Sequence, residues 1–522
     1  MAENPCETCR HSYKNGRRSM MSQVVVMLVL SGLFMDIGMQ ATMPTLVIGA
    51  LHDNSAAHLE LNDDEASWFG SILSFSHPIG ALTSGLLQER LGRKGSMLLV
   101  NIPTLAAWTI LFRATSVYQL YLVVVLMGVS IGLMEAPLHS YIGEVGEPHF
   151  RGIMSTMATA ATILGVLAMH VLGYLFPWRT VALISAAVPL ISILCLTQIP
   201  ESPTWLITNG RAKDAQKSLS WVRGWLRPEE VQKEFEELFH HTEVALKINR
   251  TGVSDRERYR TVPTVENEAV SRQVEPVLTE ENGSCLKIKC EELTDKKVYR
   301  PLRMVCIVFF FSSVTELSEL RPFMVGIFKD LGFPIKNHPI SVLTAVFFFV
   351  GAMLHVVFLR RLGKRRLTLI SQALATLSIL LLGVYCTFFN KPNSSLVWIP
   401  ISLMSCISFC GGFGIALIPW QLCAEVFPLK GRGTAQGIAA SWAYYMRFVM
   451  SKTHFYLERW IRLNGVFFLY GVIAVAAFLY YLQYLPETED KSLKHIETYF
   501  TEDHDKTEKF CKPKHNRTHN VR

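Results

Sequence analysis

Runs of about 20 mostly apolar residues, the length that carries a helix across the hydrocarbon core of a bilayer, recur along this chain at roughly 20–50, 66–87, 96–113, 118–142, 153–175 and 179–199. After a polar interval they resume at roughly 303–328, 339–360, 367–389, 397–425, 436–458 and 465–485. Nothing else in the sequence limits the fold so severely, because a backbone in lipid has to satisfy its hydrogen bonds within each span. The chain reads as an all-α membrane protein of twelve transmembrane helices in two sets of six. Composition agrees: 50% of the 522 residues are hydrophobic and 18% charged, and the mean hydropathy is +0.26, too apolar for an ordinary soluble protein. The basic flank from Lys14 to Arg18 precedes an apolar stretch too long for a cleavable signal core, so the first span is expected to stay in the membrane.

Orientation follows from the short loops. Arg90, Arg93, Lys94, Arg151, the cluster from Arg360 to Arg366, Lys430 and Arg432 fall on one side together with both termini, the side that the positive-inside rule makes cytoplasmic. Because the net charge of +8 is dispersed over helix ends, it serves topology and gives no sign of a nucleic-acid partner. Five segments result: a cytoplasmic tail over 1–19, a six-helix bundle over 20–199, a cytoplasmic loop over 200–302, a second bundle over 303–485 and a tail over 486–522. Within the loop, helical patterns over Ala212–Leu226 and Pro228–Ile248 precede a stretch with too little apolar surface to fold alone. The sequons at Asn249, Asn282 and Asn516 lie on the cytoplasmic side, so Asn393 is the one expected to carry sugar. Eleven cysteines, mostly within spans, argue against a disulfide framework. Cys6-Glu-Thr-Cys9 with Cys285 and Cys290 lacks a zinc spacing, so no metal or other cofactor is expected.

Gly128-Val-Ser-Ile-Gly132 matches the nucleophile-elbow pattern, which works only on a strand-to-helix turn. Here it lies inside an apolar helical run, where small residues four apart let helices pack closely, and no catalytic residue is expected. The junctions between spans carry more. Gly85-Leu-Leu-Gln-Glu-Arg-Leu-Gly-Arg-Lys94 joins spans two and three, and Tyr141-Ile-Gly-Glu144 leads to Arg151-Gly152. The second half repeats the design with Gly363-Lys-Arg-Arg366 and Glu425-Val-Phe-Pro-Leu-Lys-Gly-Arg-Gly433. Pro200-Glu-Ser-Pro203 follows span six, and Pro486-Glu-Thr488 follows span twelve. Repetition across two halves is the mark of a transporter built from internal repeats.

On these motifs, in this order, residues 30–497 resemble the sugar porter family of the major facilitator superfamily, and within it the insect facilitated trehalose transporter-like members. The resemblance implies a transporter of a small polar solute, a sugar of the glucose or trehalose type, working by alternating access between two six-helix bundles, either facilitative or proton-coupled. It also implies a multi-pass monomer in the plasma membrane, with the lipid bilayer and the solute as its partners. Glu89, Arg93, Glu144, Arg151, Glu201, Arg365, Glu425 and Arg432 form the expected cytoplasmic gate, in which Glu144 pairs with Arg93 and Arg151, and Glu425 with Arg365 and Arg432. Trp420, in Ile418-Pro-Trp420, matches the family aromatic and is expected to stack on a sugar face. Departures fall at the sugar's hydroxyl partners. The family Gln-Gln pair of span seven becomes Ser312 and Ser313, and the following Asn becomes Ser318. The Gln of span five becomes Thr159, the Asn of span eight Phe348, and the Asn of span eleven Ser441. Val124, Thr204 and Arg360 are further departures, the first replacing a buried Arg.

Charges inside spans are costly and mark function. Span seven carries Glu316, Glu319, Arg321 and Pro322, and the proline is expected to break the helix. Ser312, Glu316 and Glu319 share one face by their i, i+4, i+7 spacing, lining the cavity, or else Glu316 or Glu319 pairs with Arg321 or Arg447 for structure alone. Asp36 falls where proton-coupled members carry an acid, so Asp36 and Glu316 are the candidates for proton coupling. Glu135 and His139 stand one turn apart and could pair, while His77, His170 and His355 read as packing residues. Two other readings remain open, a carrier of a non-sugar, possibly charged, solute and a non-transporting membrane sensor on the same fold.

Overall fold

The computed structural model describes residues 16–52, 59–251, 296–317, 320, 323, 338–388, 398–427, 432–489 and 499–500. Among the described residues the first half gives α1 (Gly16–Leu51), α2 (Asp63–Arg113), α3 (Val117–Val145), α4 (Pro148–Leu175) and α5 (Trp178–Gln198), then the short α6 (Pro203–Thr208), α7 (Ala212–Val222) and α8 (Gln232–Thr251). The second half gives α9 (Lys296–Thr315), α10 (His338–Leu362), α11 (Lys364–Phe388), α12 (Trp398–Cys410), a π turn over Gly411–Ile415, α13 (Ile418–Glu425) and α14 (Arg432–Tyr484). Among the described residues, ten helical stretches are long and apolar enough to cross a membrane. Two of them are double. At 1.5 Å per residue, α2 with 51 residues and α14 with 53 are more than twice the thickness of a bilayer core. Each is broken by one residue at positive φ, Gly92 (φ 81°, ψ 177°) in α2 and Arg462 (φ 59°, ψ 166°) in α14. The ten stretches are therefore consistent with twelve crossings.

Helix starts follow local chemistry. Asn62 and Glu65 cap α2 reciprocally, the Glu65 amide donating to Asn62 Oδ1 (2.9 Å) and the Asn62 amide to Glu65 Oε2 (3.1 Å). Before α3, the Gln119 side chain accepts from the amides of Thr115 and Ser116. The end of α9 departs from expectation. The Glu316 amide still donates to the Ser312 carbonyl, but Leu317 turns to φ 52°, so the helix stops at Thr315, ahead of Pro322. That proline, with Ser318, Glu319, Arg321, Asn393, both tail ends, the sequons at Asn282 and Asn516 and residues 252–295, lies outside the described residues, as do the side chains of Asn249, Arg151 and Arg432.

The chain divides into two compact units. Unit 1 comprises 1–43, 76–168 and 176–281; unit 2 comprises 44–75, 169–175 and 282–522. The boundary in α1 falls at Pro44, which interrupts the helix's hydrogen-bond ladder. In unit 1, α6–α8 form a small bracket with its own core of Leu206, Ile207 and Ala215 under Trp205, Phe235 and Leu238. Ser22 Oγ on α1 donates to the Val222 carbonyl (2.5 Å), and Arg223 pairs with Glu234 (2.7 Å). In unit 2, α14 packs on α9 and α11, and α10 packs on α12 and the π turn.

Candidate functional site

Each unit contains the same junction. In unit 1, Gly92 takes a backbone conformation essentially reserved for glycine, and a Cβ there would stand 2.4 Å from Glu201 Oε2. The Glu201 carboxylate accepts from the amides of Arg93 (3.0 Å) and Lys94 (3.1 Å) that follow the turn. Arg93 then reaches Glu144 through Nε (3.0 Å) and Nη2 (2.6 Å), and Ser202 Oγ donates to the other carboxylate oxygen of Glu144. Glu89 is exposed, and its carbonyl accepts from Trp205 Nε1 (2.9 Å).

Unit 2 repeats the arrangement with a different base on the acid. Gly363 (φ 78°) would carry a Cβ 2.5 Å from Glu487 Oε2, and Glu487 accepts from the amides of Lys364 (2.9 Å) and Arg365 (3.1 Å). Glu425 is held not by Arg365 but by Lys364, whose Nζ lies 2.5 Å from Glu425 Oε2 and 3.1 Å from Glu489. Arg365 donates instead to the Leu482 carbonyl (2.7 Å). The physical reason is register: the residue directly after the positive-φ glycine points at the carboxylate, and that residue is Arg93 in one half and Lys364 in the other.

In unit 2, one of the residues expected to meet a solute, Trp420, belongs to an aromatic shelf. Trp420 on α13 is half-buried, with its ring centroid 4.9 Å from Phe309 and 5.7 Å from Tyr444, and the Arg447 guanidinium lies 5.6 Å from the Tyr444 ring. Ser312 and Ser313 are buried, and both hydroxyl protons are committed, Ser312 to the Ile415 carbonyl of the π turn (2.8 Å) and Ser313 to Phe309 (2.8 Å). Glu316 is buried, its Cγ so near Gly411 that a Cβ there would be 3.0 Å away. Ser441 is half-buried on α14. His355 sits between the Phe413 carbonyl and Gln421 Nε2, each 2.9 Å away, as its reading as a packing residue requires.

In unit 1, Asp36 is buried, accepting from Gln40 Nε2 (2.7 Å) and Trp108 Nε1 (3.3 Å). Thr159 is exposed on α4 and donates to its own helix at Ser155 (3.2 Å). Glu135 does not stand only beside His139; its Oε2 lies 3.3 Å from His77 Nε2 on α2. Gly132 takes the packing role expected of its motif, for a Cβ there would stand 2.2 Å from the His77 carbonyl.

One arrangement in unit 2 had no clear sequence signal. At the far end of α2 from its glycine turn, Asp63 meets Arg459 (3.1 Å) and His52 (3.1 Å), and Lys452 Nζ lies 4.0 Å from the Trp68 ring. Asn62-Asp63-Asp64-Glu65 announces a helix start, yet nothing local says that it will meet α14.

A sequence profile described as sugar (and other) transporter matches residues 24–264 and 253–500. The facilitated trehalose transporter Tret1 of Apis mellifera ligustica is 27% identical over 507 residues, 96% of this chain and 93% of its own length. A Tret1-2 homolog of Drosophila sechellia is 26% identical over 480 residues, 91% and 90% of the two chains. Among solved structures, the inward open conformation of the xylose transporter XylE from E. coli matches with a TM-score of 0.65 at 16% identity, covering 91% of this chain and 99% of its own. The proton:xylose symporter XylE bound to 6-bromo-6-deoxy-D-glucose matches at 0.63 and 17%, covering 91% and 98%. The fold is the major facilitator fold.

Proposed function

The chain belongs to the sugar (and other) transporter family, and on that premise we propose that this multi-pass membrane transporter carries a hydroxyl-rich solute of the glucose or trehalose type across the plasma membrane by alternating access. The observation that carries the choice of solute is the aromatic shelf of Trp420, Phe309 and Tyr444. A flat indole offers the apolar C–H face of a sugar ring a surface that water does not. The named relatives, facilitated trehalose transporters, support the same reading. Both termini and the 200–302 segment lie in the cytoplasm, and the chain acts as a monomer.

A second reading has one observation in its favour. Ser312 and Ser313 stand where amides are expected and donate to backbone carbonyls, while Glu316 remains as a buried carboxylate beside them. Such a set suits a cationic or strongly hydrogen-bonding solute. Uptake by purified protein in liposomes, offered labelled sugars, polyols and organic cations in turn, separates the two. Saturable uptake of a sugar that Trp420→Ala abolishes supports the first reading; uptake confined to cations overturns it.

A further inference from the structure

The acid of unit 1 that the family resemblance singles out, Asp36, is enclosed by protein: it is buried and holds Gln40 and Trp108. A different group of ionisable side chains lies across α2 and α3. Gly132 brings α3 against the His77 carbonyl, and His77 Nε2, itself buried, meets Glu135 Oε2 at 3.3 Å. The Glu135 side chain is 31% exposed. One turn further along α3, His139 is exposed, with its ring 5.4 Å from that of Phe34 on α1. The three groups thus run from a buried imidazole to one with solvent-accessible surface.

Depth gives this gradient its meaning. Glu135 stands ten residues from the end of α3 at Val145, about 15 Å at 1.5 Å per residue, and about 27 Å from its start. A half-exposed carboxylate at that depth is unfavourable against lipid and belongs beside water or a partner. We infer that His77, Glu135 and His139 form a proton-binding site in unit 1, which takes its proton from water on the His139 side and holds it between the Glu135 carboxylate and the His77 imidazole. No covalent bond is made or broken beyond the transfer of that proton. The elements packed around the site leave few competitors. On α1 the only ionisable side chain at this depth is Asp36, turned to Trp108; on α2 it is His77; on α3 they are Glu135 and His139; and residues 153–168 of α4 carry none.

The inference rests on the reading of the chain as a solute carrier, in which protonation would bias one conformational state over another. Two measurements keep the two separable. The first is an infrared pH titration of the purified protein in lipid, following the carbonyl stretch of a protonated carboxylic acid, for wild type, Glu135→Gln, Asp36→Asn and His77→Gln. A carbonyl band that grows as the pH is lowered is expected in wild type, retained in Asp36→Asn, diminished in Glu135→Gln and shifted in His77→Gln. The second is sugar uptake against pH in the same liposomes, expected to vary several-fold in wild type and to lose that variation in Glu135→Gln. A band unchanged by Glu135→Gln overturns the site, as does wild-type uptake that is flat with pH. A band lost in Glu135→Gln with no sugar moved by wild type leaves the proton site standing and overturns the choice of solute.

Discussion

At the scale of the residue, the two junctions make a discriminating pair of predictions. The Lys364 side chain is 4% exposed and answers two carboxylates, whereas Arg365 is held by a single carbonyl through its guanidinium. The partners of Lys364, Glu425 and Glu489, are 36% and 20% exposed, so removing Lys364 leaves partly solvated carboxylates and costs the charge-assisted hydrogen bonds, about 1.5 kcal/mol. Lys364→Met should therefore lower stability in detergent by roughly that amount, while Arg365→Gln should cost under about 1 kcal/mol; thermal unfolding of the two variants, assayed side by side, measures it. An equal loss for both would show that the Lys364 contact is not selective. Motif spacing made an acid–base pair in each half legible, but not which base serves Glu425. Adjacent basic residues follow the glycine in both halves, Arg93 and Lys94 in the first and Lys364, Arg365 and Arg366 in the second, and only the backbone turn decides which of them points at the acid.

At the scale of the element, the glycine turns fix where α2 doubles back. Gly92→Ala would force a Cβ to within 2.4 Å of Glu201 Oε2 in a conformation that alanine avoids, a loss of about 1–3 kcal/mol. Gly143, in the last turns of α3 with open space around it, is the control. Replacement there by alanine should be neutral or stabilising by up to about 1 kcal/mol. Melting curves of the two variants check the contrast. At the other end of α2, Asp63 and Arg459 are 49% and 62% exposed, so Asp63→Asn should shift stability by under about 1 kcal/mol. The spans themselves were legible because lipid demands an unbroken apolar run. The premature end of α9 was not. Proline marks a break from sequence alone, whereas Leu317 leaves the helix two residues past its end, where Ser312 Oγ is tied to the π turn and Glu316 crowds Gly411, contacts set by a segment about 100 residues away.

At the scale of the whole molecule, six-plus-six hydropathy and repeated junctions announce the architecture. The assignment of residues 44–75 and 169–175 to unit 2 stays hidden, because hydropathy reads each span alone and records nothing of its partners. What distinguishes a carrier that alternates between two states from a sensor on the same fold is exchange. The most direct test is efflux of a labelled sugar from liposomes containing the purified protein, with and without unlabelled sugar outside. A carrier returning loaded cycles faster than one returning empty, so external sugar is predicted to accelerate efflux several-fold, and Trp420→Ala to abolish the acceleration. Efflux no faster than from protein-free liposomes, under either condition, would contradict transport of that sugar by this protein.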